Sequence, residues 1–102
     1  MDTVRPESLI PLPPAVFHIL MALADEDRHG YGIIQEVSTR TSGEVRLSPG
    51  TLYRSIQRML DDERRRYYRI TRFGRAVAKA EAARLHELVR LARASGFGPQ
   101  RA

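Results

Sequence analysis

The sequence predicts a mainly α-helical domain with a small β-wing, and three observations lead to this fold class. Two apolar helices come first, between residues 13 and 40. A third helix, which begins at a proline, follows. After it comes a tyrosine-containing segment whose residues alternate between two faces, as the residues of a β-strand do. The last helix has heptad-like apolar spacing and ends near a glycine.

Size and composition limit the classes of protein to which the chain can belong. Its 102 residues and 11.6 kDa are enough for one small domain. The absence of cysteine excludes a disulfide framework, a zinc finger and a cysteine nucleophile. No apolar run approaches the roughly 20 residues of a membrane span, and residues 1–7 are too polar for a secretion signal. We therefore expect a cytoplasmic protein that does not contact membranes.

Positive charge is concentrated in one third of the chain. The formal net charge is +5, and the segment from Arg40 to Arg75 alone carries ten arginines against four acidic residues. The rest of the chain has seven basic and eight acidic residues. A localised basic zone indicates nucleic acid before an acidic protein or a membrane surface.

The first 47 residues are predicted to form an arm and two core helices. Residues 1–11 are polar and proline-containing, which predicts a flexible arm that is either mobile or draped over the domain. The first helix begins at Pro13-Pro14 and is largely buried, and the second runs from about Gly30 to Arg40. Residues 44–47 are expected to form a very short strand.

The next helix has an apolar face and a polar face. Ser48 is a suitable N-cap, and Pro49 suits the first helical position. At about 100° per residue, one face is formed by Leu52, Ile56, Met59 and Leu60, and Arg54 lies almost opposite it. The polar face that we expect to meet double-stranded DNA consists of Ser48, Thr51, Tyr53, Arg54, Gln57 and Arg58. For Ser48, Thr51 and Tyr53 a capping or packing role remains open.

The final helix is predicted to extend beyond the rest of the domain. Thr71 can cap it, and it runs from Arg72 to about Ser95 before Gly96. About 24 residues give a length of roughly 36 Å, which exceeds the size of the remaining globule. Its stripe predicts homodimerisation through Ala78, Ala82, Leu85, Leu88, Val89 and Ala92. Packing of the stripe within one chain remains the alternative.

These elements, in this order, predict a winged helix-turn-helix over residues 12–71, a dimerisation helix over 72–96 and a tail over 97–102. The basic tip formed by Arg64, Arg65 and Arg66 is expected to approach DNA phosphates, unless it pairs with the preceding acidic residues. A dimeric protein–protein module that does not read DNA remains the alternative. The sequence has no nucleophile–base pair, phosphate loop or metal-ligand spacing, so we predict no enzyme, catalytic residue, cofactor or metal.

Three sequence blocks resemble the PadR family of bacterial transcriptional regulators. They are His29-Gly30-Tyr31-Gly32-Ile33, Ser48-Pro49-Gly50-Thr51-Leu52-Tyr53 and the segment from Arg66 to Arg75, whose letters are RYYRITRFGR. The resemblance implies a winged-helix homodimer that binds operator DNA, usually as a repressor, with Tyr53 at or near the DNA surface. It also implies that the last helix dimerises with the first helix of the partner. A small-molecule effector is left open, and nothing in the sequence identifies one.

The chain departs from the family pattern after Leu60. The family has an apolar first wing strand there, whereas Leu60 is followed at once by Asp61-Asp62-Glu63-Arg64. A hairpin needs two strands, and the sequence predicts only the strand over residues 65–70. We therefore expect an incomplete wing: either a segment of roughly 10–20 residues is missing from this sequence between Leu60 and Asp61, or the wing is truncated.

Overall fold

The computed structural model describes residues 4–50, 59–64 and 67–98. A short 3-10 helix, Pro6–Leu9, precedes helix α1, Pro14–Ala22, strand β1, Arg28–His29, and helix α2, Gly30–Arg40. Strands β2, Leu60–Arg64, and β3, Tyr67–Ile70, lead into the long helix α3, Arg72–Ala94. The predicted fold class, mainly helical with a small β-wing, is confirmed.

One hydrophobic core joins the three helices to the sheet. Ile19 of α1, Ile33 of α2 and Val77 of α3 have no solvent exposure. The sheet contributes Leu60, Tyr68 and Ile70 to the same cluster. Burial of such side chains provides most of the stabilisation available to a domain of this size.

Three arginines from different elements cap the C-terminal end of α1. Nε of Arg28 donates to the carbonyl oxygen of Ala22 at 2.7 Å. Arg40 donates to that of Met21 at 3.1 Å, and Arg75 to that of Ala24 at 3.1 Å. Guanidinium groups stabilise this end because its last carbonyls have no partner within the helix and it carries partial negative charge.

Acidic side chains complete this arginine cluster. Glu36 contacts Arg40 at 2.6 Å and Arg28 at 3.5 Å, and Asp25 lies 3.8 Å from each of them. The hydrogen bond from Arg40 to Glu36 raises the pKa of Arg40 further above its ordinary value. Arg40 and Arg75, the two ends of the basic segment, therefore contribute hydrogen bonds to the fold.

The wing contains two paired strands, so the prediction of a lone strand is wrong. The antiparallel sheet has the order β1-β3-β2, and Leu60 lies opposite Ile70. Strand β2 continues through Asp61 and ends at Arg64, with an irregularity in register after Asp62. Acidic residues are tolerated here because backbone hydrogen bonds make the pairing and an edge strand is open to solvent on one side. The pairing gives β3 a partner strand, and a segment missing between Leu60 and Asp61 stays a prediction.

The described residues of the N-terminal segment pack against the domain, as a draped arm would and a mobile arm would not. Leu9 and Ile10 pack against the core, and Leu12 is itself buried. The 3-10 helix contacts α3. Apolar residues between the prolines, which the polar composition had obscured, hold this segment against the long helix.

The expected strand at residues 44–47 is absent. Thr41 and the turn after α2 organise this stretch instead, because Oγ1 of Thr41 accepts a hydrogen bond from the Val45 N–H at 3.0 Å. Ser42 and Gly43 adopt positive φ angles of 53° and 82°, a conformation that reverses the chain. Leu47 then enters the core, which fixes the start of the following segment.

Candidate nucleic-acid interface

The predicted DNA-reading helix is anchored at both of its described ends. Leu47, just before it, and Leu60, just after it, are 9% and 4% exposed. The backbone is helical at Pro49 and Gly50 and again at Met59. Ser48, Pro49 and Gly50 are exposed. The chain therefore leaves the core immediately before this segment and re-enters it immediately after.

The structure places two of the nine residues predicted to bind DNA. Ser48 is exposed at the entry of the segment, and Arg64 ends β2 opposite Tyr67. The other seven lie outside the described residues: Thr51, Tyr53, Arg54, Gln57, Arg58, Arg65 and Arg66. Their contact with DNA therefore stays a prediction.

Three exposed arginines near these elements were not among the predicted residues. Arg46 precedes the N-cap by two positions, Arg69 lies on β3, and Arg72 begins α3. Arg69 faces away from the core because it alternates with buried Tyr68 and Ile70. The period-two pattern could have identified Arg69, whereas Arg46 and Arg72 had no signal beyond their charge.

Tyr67 holds the wing against the start of α2. Its hydroxyl donates to the carbonyl oxygen of Asp27 at 3.4 Å. Its ring meets the ring of His29 edge to face, with centroids 4.7 Å apart. Strand β1 adds backbone pairing, with Arg28 opposite Tyr68. The wing and α2 are thus connected by both side chains and backbone.

The predicted dimerisation stripe divides into two parts. Ala78 packs against the core, and Leu85 and Ala92 are half-buried. Ala82 is exposed, and Leu88 and Val89 keep 47% and 43% of their surface in solvent. Leu91 and Phe97, outside the predicted set, are also exposed. The apolar surface without a described partner is therefore concentrated beyond residue 87.

Within residues 4–50, 59–64 and 67–98, no group of three histidine, cysteine or acidic side chains could hold a metal ion. No helix in that part of the chain is both long and apolar enough to cross a membrane.

Comparison with known proteins gives two similar relatives. Transcriptional regulator Rv3488 of Mycobacterium tuberculosis is 38% identical over 85 residues, covering 72% of this chain and 77% of the relative. An uncharacterized protein of Lysinibacillus sphaericus is 37% identical over 71 residues, covering 57% of this chain and 65% of the relative. The chain thus spans just under two thirds of the Lysinibacillus protein. No solved structure matches the chain.

The alignments also show a difference in length. The 85 positions aligned with the mycobacterial protein use 72% of this chain, or about 73 residues. About a dozen positions of that relative therefore have no counterpart here, and the same holds for the Lysinibacillus protein. The chain is shorter than both relatives within the matched region.

The family assignment rests on the greater part of the chain. Residues 19–80 match the family described as "Transcriptional regulator PadR-like family". This range begins within α1, includes α2 and the wing, and ends in the packed part of α3. The chain belongs to the PadR-like family of transcriptional regulators.

Proposed function

We propose that this protein is a sequence-specific DNA-binding transcriptional regulator, acting as a repressor, which binds a palindromic operator as a homodimer. Family membership supports a regulator that binds DNA. The relative from Mycobacterium tuberculosis is itself named a transcriptional regulator. The palindrome, the homodimer and the direction of regulation are our inference.

The observation that carries the proposal is the anchoring of Leu47 and Leu60 on either side of an exposed helix start. A reading helix must hold its apolar face against its own domain while its N-terminal residues reach base edges. Arg54 lies opposite the predicted apolar face, and a bidentate arginine–guanine contact contributes about 1–3 kcal/mol of discrimination.

The apolar surface at the end of α3 supports the homodimer. Leu88, Val89 and Leu91 are exposed within a few residues of one another, and covering them with a second copy would remove this surface from water. A two-fold dimer would present two reading helices about 34 Å apart, one turn of duplex. Two such helices match the two halves of a palindrome.

The test is a selection of bound sequences from randomised duplexes, followed by affinity measurements across a salt titration. We expect a palindromic consensus and a steep loss of affinity with salt, because arginines release counterions from phosphates. The Arg54→Ala variant is expected to lose about 1–3 kcal/mol of binding free energy and to relax the consensus.

Arg5→Ala is the matched control, because Arg5 is exposed and lies in the N-terminal segment. It removes the same charge and is expected to leave the consensus unchanged. If the selection with the wild-type protein yields no consensus, sequence-specific DNA binding is contradicted. That result would favour the alternative of a protein–protein module. For repression, deletion of the gene is expected to raise transcription from promoters that carry the consensus, and a fall would indicate activation.

A further inference from the structure

A backbone hydrogen bond joins the end of the predicted reading helix to the start of the long helix. The Thr71 N–H donates to the carbonyl oxygen of Met59 at 3.0 Å. This bond extends the pairing of β2 with β3, in which Leu60 lies opposite Ile70. Met59 and Thr71 are twelve positions apart in sequence, and this hydrogen bond joins them directly in space.

Gly74 makes this close approach possible. A Cβ atom at position 74 would overlap the carbonyl oxygen of Met59 and would lie 3.1 Å from its carbonyl carbon. It would also lie 3.0 Å from Cγ1 of Ile70. The carbonyl is backbone and accepts a hydrogen bond, so it cannot rotate away as a side chain would. Only glycine leaves the two elements at their present separation.

The first turn of α3 is fixed on its other sides as well. Oγ1 of Thr71 caps the helix by accepting from the Gly74 N–H at 2.9 Å. One turn on, Arg75 donates to the carbonyl oxygen of Ala24 at 3.1 Å, and Val77 is fully buried. The described contacts therefore leave no hinge between Met59 and the packed part of α3.

We propose that Gly74 is a positioning residue which, together with Thr71, fixes the direction of the reading helix relative to α3 and thereby sets the half-site spacing that the dimer accepts. The inference rests on the proposed function. Because α3 carries the exposed apolar surface, a change in angle at this junction would move the two reading helices relative to each other. Recognition of one half-site would not depend on that angle, whereas simultaneous recognition of both would.

The first test uses the wild-type protein and the selected palindrome with base pairs inserted between its halves. Two added base pairs rotate one half-site by roughly 70° about the duplex axis. A rigid junction predicts that affinity falls at least about tenfold, because the second half-site can no longer be engaged. A loss smaller than about twofold would overturn the proposal, since a flexible junction would follow the rotation.

The second test compares Gly74→Ala with Gly32→Ala. Each variant adds one methyl group to a helical glycine, but a Cβ at position 32 would meet only Cβ of Arg28, at an ordinary 3.8 Å. We expect Gly74→Ala to lower the ratio of palindrome affinity to single half-site affinity at least about fivefold, through lost simultaneous engagement. Gly32→Ala is expected to leave that ratio unchanged.

The outcomes separate this proposal from the proposed function. If the wild-type protein selects no DNA sequence, the proposed function is contradicted. The spacing series then cannot be made, because it starts from the selected palindrome. A Gly74→Ala variant that folds, binds one half-site normally and keeps the wild-type ratio overturns the positioning role. If Gly74→Ala shows no cooperative thermal transition, the wild-type spacing series decides the question alone.

Discussion

Two glutamate–arginine pairs on α3 have almost the same geometry and very different surroundings. Arg84 contacts Glu81 through two hydrogen bonds of 2.9 and 2.7 Å. Arg90 contacts Glu87 through two of 3.0 and 2.7 Å. The Glu81 side chain is 3% exposed, and that of Glu87 is 54% exposed. Identical spacing in sequence thus gives one pair within the packed part of the helix and another in solvent.

The difference arises from what packs against each half of the helix. The 3-10 helix contacts α3, and Leu12 beyond it is buried. The hydrogen bond from Arg84 is the main cause that lowers the pKa of Glu81, and the Leu12 backbone also lowers it, against an opposing effect of burial. The hydrogen bond from Arg90 likewise lowers the pKa of Glu87. A buried carboxylate needs such partners, whereas an exposed one has water as an alternative.

The largest expected effect tests whether a second copy covers the exposed half. Leu88→Glu places a charge in the proposed interface and is expected to weaken dimerisation by roughly 30-fold or more. Light scattering is expected to give a mass approaching 11.6 kDa. Ala83→Glu, at an exposed position of α3 outside the stripe, is the control and is expected to remain dimeric. An unchanged mass for Leu88→Glu would contradict the stripe as an interface.

A pair of valine truncations compares packing in the two halves. In the Leu88→Glu background, Val77→Ala is expected to lower the free energy of unfolding by about 2 kcal/mol, because it removes fully buried methyl groups. Val89→Ala is expected to change it by less than about 0.5 kcal/mol, since that side chain is exposed. Urea denaturation measures both. Equal losses would show that the second half is also packed within one chain.

The smallest expected effects come from the two glutamates and depend on pH. Because the pKa of Glu81 is lowered in the folded state, its contribution is complete above its ordinary pKa of about 4.3 and is lost as pH falls through the lower folded pKa. Glu81→Gln is therefore expected to lower Tm at pH 7 and to approach the wild-type Tm as pH falls through the lowered folded pKa of Glu81.

Glu87→Gln is the matched variant, since it neutralises a carboxylate with the same arginine geometry in solvent. We expect its Tm to stay close to that of the wild type at both pH values. Thermal melts at pH 7 and pH 3.5 measure both variants. If the Tm of Glu81→Gln stays below that of the wild type by the same amount in acid, the charge of Glu81 is not the cause. Packing of its side chain would then account for the loss of stability.

Several elements were predictable because their signals are local. Thr71 was predicted as the cap of the long helix, and its Oγ1 accepts the expected hydrogen bond from Gly74. Gly96, predicted to stop that helix, has a φ of 89°. A cap and a stop depend on residues within one turn, so periodicity and residue type are sufficient.

The errors concern contacts between segments that are distant in sequence. Strand β2 was missed because its pairing with β3 is made by the backbone, while its acidic side chains indicated a loop. The sequence left a mobile and a draped N-terminal arm open, because nothing local reveals that the 3-10 helix packs against α3. The capping of α1 by Arg28, Arg40 and Arg75 was missed for the same reason, and charge counts could not separate these arginines from exposed ones.

Residue types at short spacing were sufficient to predict helices α1, α2 and α3 in their order, the ends of the long helix and the three family blocks. Only the tertiary structure decided which arginines are engaged within the protein, which half of α3 is covered, and why position 74 excludes a side chain. Those properties depend on distances between residues that are far apart in sequence. Strand pairing, burial and the space left beside a backbone carbonyl exist only after folding.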